Sequence, residues 1–446
     1  MSSNKKNFIG LAESLVDYGR THGAAEIEVS ITDGSEFTVN VRDQKVENLT
    51  EAGSKGMDIR VFVDGKAASA SSSDFAEETL HRLIDNAVAR AKLGGQDEYA
   101  GLPDLEKITA DATSLKIFDP KILELLPEKK IAIAKQLEAI GMTDNRIKKS
   151  TGSLYGTYEF TQTLANSKGF SGSYNKTVVN CGVGFQCGEG ENLFQDGWYE
   201  GAVNLDKLNT PEIIAAKAVN RVTRLIGARK VETQNGPVVT EPPMTAWLLG
   251  FLSECIGGVN IARKQSFLVD KLGGKIGSEQ VTILDDGMLP RGRGSAPFDG
   301  EGVPSRRTPI IEKGVLKNYL LDTYYGRKLK LKSTGNASGV TNLYVAAGTN
   351  KPDDIIKSVD KGLLLTGTLG LGTVPTTGDI SVGAFGMWIE KGQIAFPVAE
   401  ITISGNLGEL LKSVQMVGND LDFHGRINGP TIKFAEMTIG GKAGDA

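Results

Sequence analysis

Glycine fills 55 of the 446 positions, well above its usual share of roughly 7%, and it recurs beside Asp, Lys or Asn between runs of alternating apolar and polar residues. Alternation at a period of two marks half-buried strands, and Gly supplies the positive φ that tight hairpin turns need. Many tight turns are therefore expected. Residues 25–49 show the pattern: Phe37, Val39 and Val41 alternate with Glu36, Thr38 and Asn40, and Asp33-Gly34 predicts a hairpin between two strands. A third strand over 56–63 turns at Asp64-Gly65.

Helical patterns flank these strands. Phe8, Leu11, Leu15 and Val16 share one helical face, and Asp74 with Glu77 three residues on predicts an acidic capping pair for a helix running to residue 92. Between residues 94 and 120 the pattern weakens, which marks a boundary. A helix over 128–142, strands over 153–188 with turns at 167–169 and around Gly182, and a helix opened by Thr210-Pro211-Glu212 follow. From residue 236 short strands are joined by turns at Asp286-Gly287, Lys313-Gly314, Lys391-Gly392 and Gly405-Asn406. The expected fold is α+β, with antiparallel sheets in an N-terminal domain (1–110) and a middle domain (111–229), and a β-rich C-terminal domain (230–446). A chain of this length exceeds what one hydrophobic core usually serves.

Charge and composition exclude several classes of function. Hydrophobic residues at 40% and charged residues at 23% are ordinary for a globular chain. A net charge of -4 and a pI near 5.7 leave no basic footprint for nucleic acid. The lysines at positions 5 and 6 precede an apolar stretch that Glu13 and Asp17 interrupt, so a signal peptide is not expected. The longest apolar run, 246–252, falls far short of the roughly 20 residues that cross a bilayer. Cys181, Cys187 and Cys255 are too few to staple a chain this long, which fits a reducing cytoplasm.

Catalytic signatures are sparse. The three histidines, His22, His81 and His424, form no His-Glu pair on a helix, and Cys181 and Cys187 lack zinc-ligand spacing. No Gly-x-Ser-x-Gly elbow and no Gly-rich phosphate loop occurs; Gly292-Arg293-Gly294 is the nearest approach. Asp285-Asp286 and Asp299-Gly300-Glu301 could hold a divalent cation or act as an acid/base pair, or could be turn chemistry. Arg291, Arg293, Arg306 and Arg307 flank the second cluster and suggest a contact for a peptide carboxylate or a partner.

Several segments in order carry a resemblance: 164–169 (LANSKG), 282–287 (TILDDG), 299–304 (DGEGVP), 313–319, Gly335-Asn336, 379–406 and 416–421. Together they resemble the family of TldD and TldE, the latter also called PmbA, known as modulators of DNA gyrase and as metallopeptidase subunits. TldD-like members carry His-Glu-x-x-x-His on a helix and a Cys near the C-terminus, and these hold the catalytic metal. The matching helix here reads LGFLSEC over 249–255, and the C-terminal stretch reads NDLDFHGRINGPTIKF. The segment 385–390 (FGMWIE) is close to the TldE pattern. The resemblance therefore implies a TldE-like subunit with no catalytic, cofactor or metal residues of its own. It implies a TldD-like partner that alone carries metal, and extended peptides as substrates, bound by strand addition at a sheet edge. Two alternatives remain: a self-sufficient peptidase using Glu254, Cys255 and His424, and a homodimer that binds peptides without cleaving them.

Overall fold

The computed structural model describes residues 8–190, 193–370 and 372–441; the lysines at positions 5 and 6 lie outside them. The fold is α+β with predominantly antiparallel sheets. Helix α1 (Phe8–Thr21) precedes three strands, β1 (Glu26–Arg42), β2 (Lys45–Val63) and β3 (Lys66–Ser72), and α2 (Glu77–Leu93) returns over them. After a short α3 (Ala112–Leu115), α4 (Pro127–Gly141) leads into β4 (Ile147–Asn166), β5 (Ser171–Cys187), β6 (Phe194–Ala202) and α5 (Pro211–Thr223). Among the described residues these strands form one sheet in the order β3-β2-β1-β4-β5-β6. The pairing of β1 with β4 runs from Glu28 with Asn166 to Val41 with Ser153, so the sheet is continuous across the boundary region near residue 110.

One face of β1 serves two cores. Ile27, Val29 and Ile31 pack under α1 and α2, while Phe37, Val39 and Val41 pack under α4 with β4 and β5. All six have odd numbers, so period-two alternation puts them on the same side. The even side carries Glu28, Thr38 and their neighbours, and the C-terminal domain docks against it.

Two expected turns lie inside strands. Asp33-Gly34 is the middle of β1, where Gly34 pairs with Ser54 on one side and Phe160 on the other. A Cβ at Gly34 would stand 2.6 Å from the carbonyl oxygen of Glu159, so this glycine allows close strand approach instead of a turn. Gly182 sits within β5, where a Cβ would run into the Tyr199 ring. The β1–β2 hairpin instead turns at Asp43-Gln44, both at positive φ (50° and 60°). The buried carboxylate of Glu138 accepts both backbone N–H groups, at 2.9 and 2.6 Å, which holds a turn lacking glycine. The turns at Asp64-Gly65, 167–169, Lys313-Gly314 and Lys391-Gly392 are where the sequence places them. The capping pair is not formed as expected: Asp74 accepts from the Ala76 N–H and the Thr79 hydroxyl, leaving Glu77 out.

In the C-terminal domain β7 (Gln234–Thr240) runs into α6 (Pro242–Cys255) and α7 (Gly258–Ala262). A sheet of short strands follows, comprising β8 (Ile283–Asp286), β9 (Arg307–Glu312), β10 (Val315–Leu316) and, after α8 (Thr323–Lys328), β11 (Leu343–Val345). Helix α9 (Pro352–Lys357) then precedes β12 (Lys361–Leu369), β13 (Thr373–Val374), β14 (Asp379–Glu390) and β15 (Gln393–Asn406). Gly405-Asn406 is no hairpin turn, because Asn406 ends β15 and its side chain caps α10 (Leu407–Ser413) by accepting from the Gly408 N–H. The last strands are β16 (Val414–Val417), β17 (Ile427–Asn428), which joins the short-stranded sheet beside β11, and β18 (Ile432–Gly440). Strands β12, β7, β18, β15 and β14 pair successively, and β14 pairs back with β12, closing the sheet on itself. Closure removes free edges around that ring, and its interior joins the large core that also receives α6.

Candidate functional site

The segment expected to align with a metal-binding helix is the second half of α6. Its Leu248, Leu249, Phe251, Leu252 and Cys255 are buried in the C-terminal core. Cys255 is fully buried, and burial first, with the neighbouring Glu254 charge second, pushes its thiol up to about 12. A metal ligand must be a thiolate, so this sulfur is poorly suited. Glu254 faces solvent. His424 lies elsewhere: its Nε2 is 3.0 Å from Asp422 Oδ2, and its ring meets the Trp198 ring edge-on at 5.7 Å. The stretch after His424 packs on the first turn of α6, where a Cβ at Gly429 would run into the Thr245 side chain. Cys255 is ten residues further along the helix, roughly 15 Å at 1.5 Å per residue. Among the described residues no group of three His, Cys, Asp or Glu could hold a metal ion. An exposed carboxylate, a neutral buried thiol and a distant imidazole do not fit the metal of a peptidase centre.

The other two histidines sandwich Tyr18, with ring centroids 3.8 Å away on both sides. Cys181 and Cys187 are buried in the core beneath α4 and α5.

Polar chemistry concentrates instead on the outer face of β5. Alternation sends Thr177, Val179, Cys181, Val183 and Phe185 inward and leaves Tyr174, Lys176 and Val178 facing the C-terminal domain. Between that face and the loops 293–305 and 335–341 lies a cleft of about 280 Å³. Lys176 is buried; its Nζ donates to the carbonyl oxygens of Arg293 (2.6 Å) and Ser295 (2.9 Å). Burial, then the charges of Arg426 and Arg293, push this ammonium down to about 7. Arg293 donates to Asn180 Oδ1 at 2.8 Å and lies over Gly201, where a Cβ would run into its guanidinium. Burial, then Arg426, lowers its proton affinity as well. Phe298 forms an apolar wall, edge-on to Tyr174 at 5.2 Å and to Phe170 at 5.0 Å.

The acidic pairs hold the loops of this cleft. Asp299 accepts from the backbone N–H groups of Glu301 (2.9 Å), Val303 (3.0 Å) and Ala337 (2.9 Å). Burial still dominates and raises its carboxyl to about 6. Asp285 accepts from Asn336 Nδ2 (2.7 Å) and the Thr341 N–H (2.9 Å), and Asp286 from the Met288 N–H. Glu301 accepts from Arg60 and from the Thr323 N–H, and Arg60 also pairs with Glu28 at 3.1 Å, fastening the six-stranded sheet to the loop. Of the two readings left open by sequence, these contacts are turn and docking chemistry. The four arginines do not act together: Arg291 pairs with Asp206, Arg306 with Glu106 and Arg307 with Asp286, and only Arg293 lines the cleft. Sequence reading missed Lys176, Tyr174 and Arg426; the one local signal was a lysine within an otherwise strand-forming run.

Comparison with known proteins identifies the architecture. The PmbA/TldA metallopeptidase domain 1 matches residues 27–91, the central domain 120–226 and the C-terminal domain 233–441. The chain is 33% identical over 428 residues to "Metalloprotease PmbA" of Escherichia coli O157:H7, covering 95% of this chain and 93% of that protein. It is 34% identical over 206 residues to a "Metalloprotease TldD homolog" of Buchnera aphidicola, covering 40% of this chain and 42% of that one. A crystal structure from Bacteroides thetaiotaomicron, described as a modulator of DNA gyrase, superposes with a TM-score of 0.90 at 30% identity over 99% of this chain and 100% of that one. The crystal structure of TldE from Thermococcus kodakarensis shares the fold, with a TM-score of 0.82 at 24% identity over 96% of this chain and 99% of that one. With matches across all three domains and a full-length relative at this identity, the chain belongs to the PmbA/TldD metallopeptidase family.

Proposed function

We propose that this chain is the TldE-like, non-catalytic subunit of a TldD/TldE-type metallopeptidase, and that the complex cleaves extended or unfolded peptides. The observation that carries the reading is the second half of α6, where apolar side chains and a sealed thiol stand in place of metal donors. The catalytic metal belongs to the TldD-like partner, and this chain contributes assembly and peptide positioning. The outer edge of β2 offers one place for strand addition. Residues 45–56 pair with β1 alone among the described residues, and β3 covers only 57–63. Three free, buried cysteines suit a reducing cytoplasm. No helix among the described residues is long and apolar enough to cross a membrane.

The test is reconstitution. The purified chain mixed with a TldD-like chain from the same cell should form a stoichiometric complex in analytical ultracentrifugation, and only the mixture should cleave an unfolded peptide. Zinc measured by elemental analysis should follow the partner. Peptide cleavage by the isolated chain, with a stoichiometric metal bound to it, would overturn the proposal.

A further inference from the structure

Three cations converge on the cleft beside β5. Lys176 and Arg293 are positioned by backbone and amide contacts, and Arg426 lines the same space, exposed and without an ion-pair partner among the described residues. After burial, the two arginines depress the proton affinity of Lys176, and Arg426 depresses that of Arg293. Like charges held this close raise the energy of the empty site, and an anion placed among them relieves it. Hydroxyl donors are present at Ser305, Ser338 and Tyr174, while Phe298 and Phe160 make the remaining wall apolar.

We propose that this cleft is a binding site for a monoanionic carboxylate carried on an apolar group, met in this protein as the C-terminal carboxylate of a peptide. The peptide form rests on the peptide-handling role proposed above; the carboxylate site does not. Charge favours a monoanion over a phosphate dianion. Arg293 and Arg426 contribute two positive charges and Lys176 a fraction of a third, while Asp299 in the same cleft and Asp285, which the Arg426 charge also reaches, subtract from them to the extent that they are ionised. Size points the same way, because 280 Å³ lies at the small end of ligand clefts, which run roughly 300–1,000 Å³. That volume suits one residue with its terminal carboxylate. The apolar wall gives an aromatic or aliphatic side chain a surface, and a bare inorganic ion would leave it unused.

The experiment is calorimetric titration of the purified full chain with N-acetylphenylalanine, its amide and inorganic phosphate, then with one pentapeptide in free-acid and C-terminally amidated forms. The acid should bind at least about tenfold more tightly than its amide, since the amide cannot make the charge-assisted contact. Arg426→Ala, at an exposed position that threatens no folding, should remove most of that preference, and Arg426→Lys should restore part of it. Equal binding of acid and amide, an unaffected Arg426→Ala variant, or tighter binding of phosphate than of the acid each overturns the carboxylate site. Binding of the small acid without binding of either pentapeptide keeps the site and overturns its peptide form. Equal binding of the two pentapeptides with none of the small acid overturns the site and leaves the peptide-handling role standing.

Discussion

Helix α6 and strand β5 are both buried against the C-terminal core or its loops, yet they spend that burial in opposite ways. The last turns of α6 place Phe251, Leu252 and Cys255 in the large core and leave their one charge, Glu254, in solvent. Strand β5 buries Lys176 at a position an apolar residue could fill, and satisfies it with two carbonyl oxygens. Burying an ammonium costs far more than burying leucine. A fold tolerates that cost where the charge serves something besides stability, so α6 reads as a pillar and β5 as the wall of a site.

The contrast breaks first if α6 is not a pillar. Phe251→Ala should cost about 3–5 kcal/mol of unfolding free energy, the usual result of opening a cavity at a fully packed aromatic. Chemical denaturation of the purified chain measures it. A loss below about 1 kcal/mol would mean that the helix is loosely held and could reorganise around a ligand, which would undo its assignment as structure.

Lys176→Met is the next largest and tests the wall. It strands the carbonyl oxygens of Arg293 and Ser295, at about 1–3 kcal/mol, and its effect should depend on pH. The folded chain holds Lys176 down at about 7 against an ordinary 10.5. The stability this contributes is present above the unfolded value and is lost as pH falls through about 7. The parent should therefore gain stability from pH 7 to 10 relative to the variant. Denaturation curves at pH 7 and pH 9.5 that differ by the same amount for both proteins would show that Lys176 titrates normally.

How far these regions could be foreseen follows from the range of the interactions that make them. Period-two alternation is local, so most strands of the six-stranded sheet are visible in the sequence. Glycine is ambiguous because one residue serves two purposes: at Asp64-Gly65 it supplies positive φ, whereas at Gly34 and Gly182 it clears room for a neighbouring strand or ring. Only the three-dimensional register separates those uses. The hairpin at Asp43-Gln44 escaped because its stabiliser, Glu138, arrives from 95 positions away. The cleft was hidden for the same reason, since Lys176 and Arg293 are 117 positions apart and Arg426 comes from the far end of the chain. The arginine-rich loop pointed to the right neighbourhood, but three of its four arginines are spent on ion pairs.

Glu28→Gln examines the joint between sheet and loop, with a smaller effect of on the order of 1–2 kcal/mol across its window. Burial outweighs Arg60 and raises the Glu28 carboxyl from 4.5 to about 7. A raised carboxyl contributes stability that is complete below about 4.5 and lost as pH climbs through about 7. Asp299, raised from 3.8 to about 6, acts in the same direction. The parent should therefore lose stability between pH 5 and pH 7.5, and the glutamine variant should lose less. Melting temperatures across that range decide it, and parallel curves would mean that Arg60 keeps Glu28 ionised throughout.

The smallest predicted effect sharpens the contrast most. Arg426 is exposed and unpaired, and exposed substitutions usually fall within about 0.5 kcal/mol of neutral. Arg426→Ala removes a charge that presses on both Lys176 and Arg293 and that also favours the buried Asp285 carboxylate, and it breaks no ion pair among the described residues. With relief at Lys176 and Arg293 opposed by the loss at Asp285, the variant should stay within about 0.5 kcal/mol of the parent at pH 7. The pH at which Lys176 gives up its proton should rise toward the ordinary lysine value, moving the alkaline gain in stability to higher pH. A truncation that leaves α6 and the core untouched, relaxes the folded state and abolishes carboxylate binding would mean that the cluster of cations is maintained against stability. A destabilisation above about 1 kcal/mol would instead make Arg426 a structural residue and β5 a second pillar.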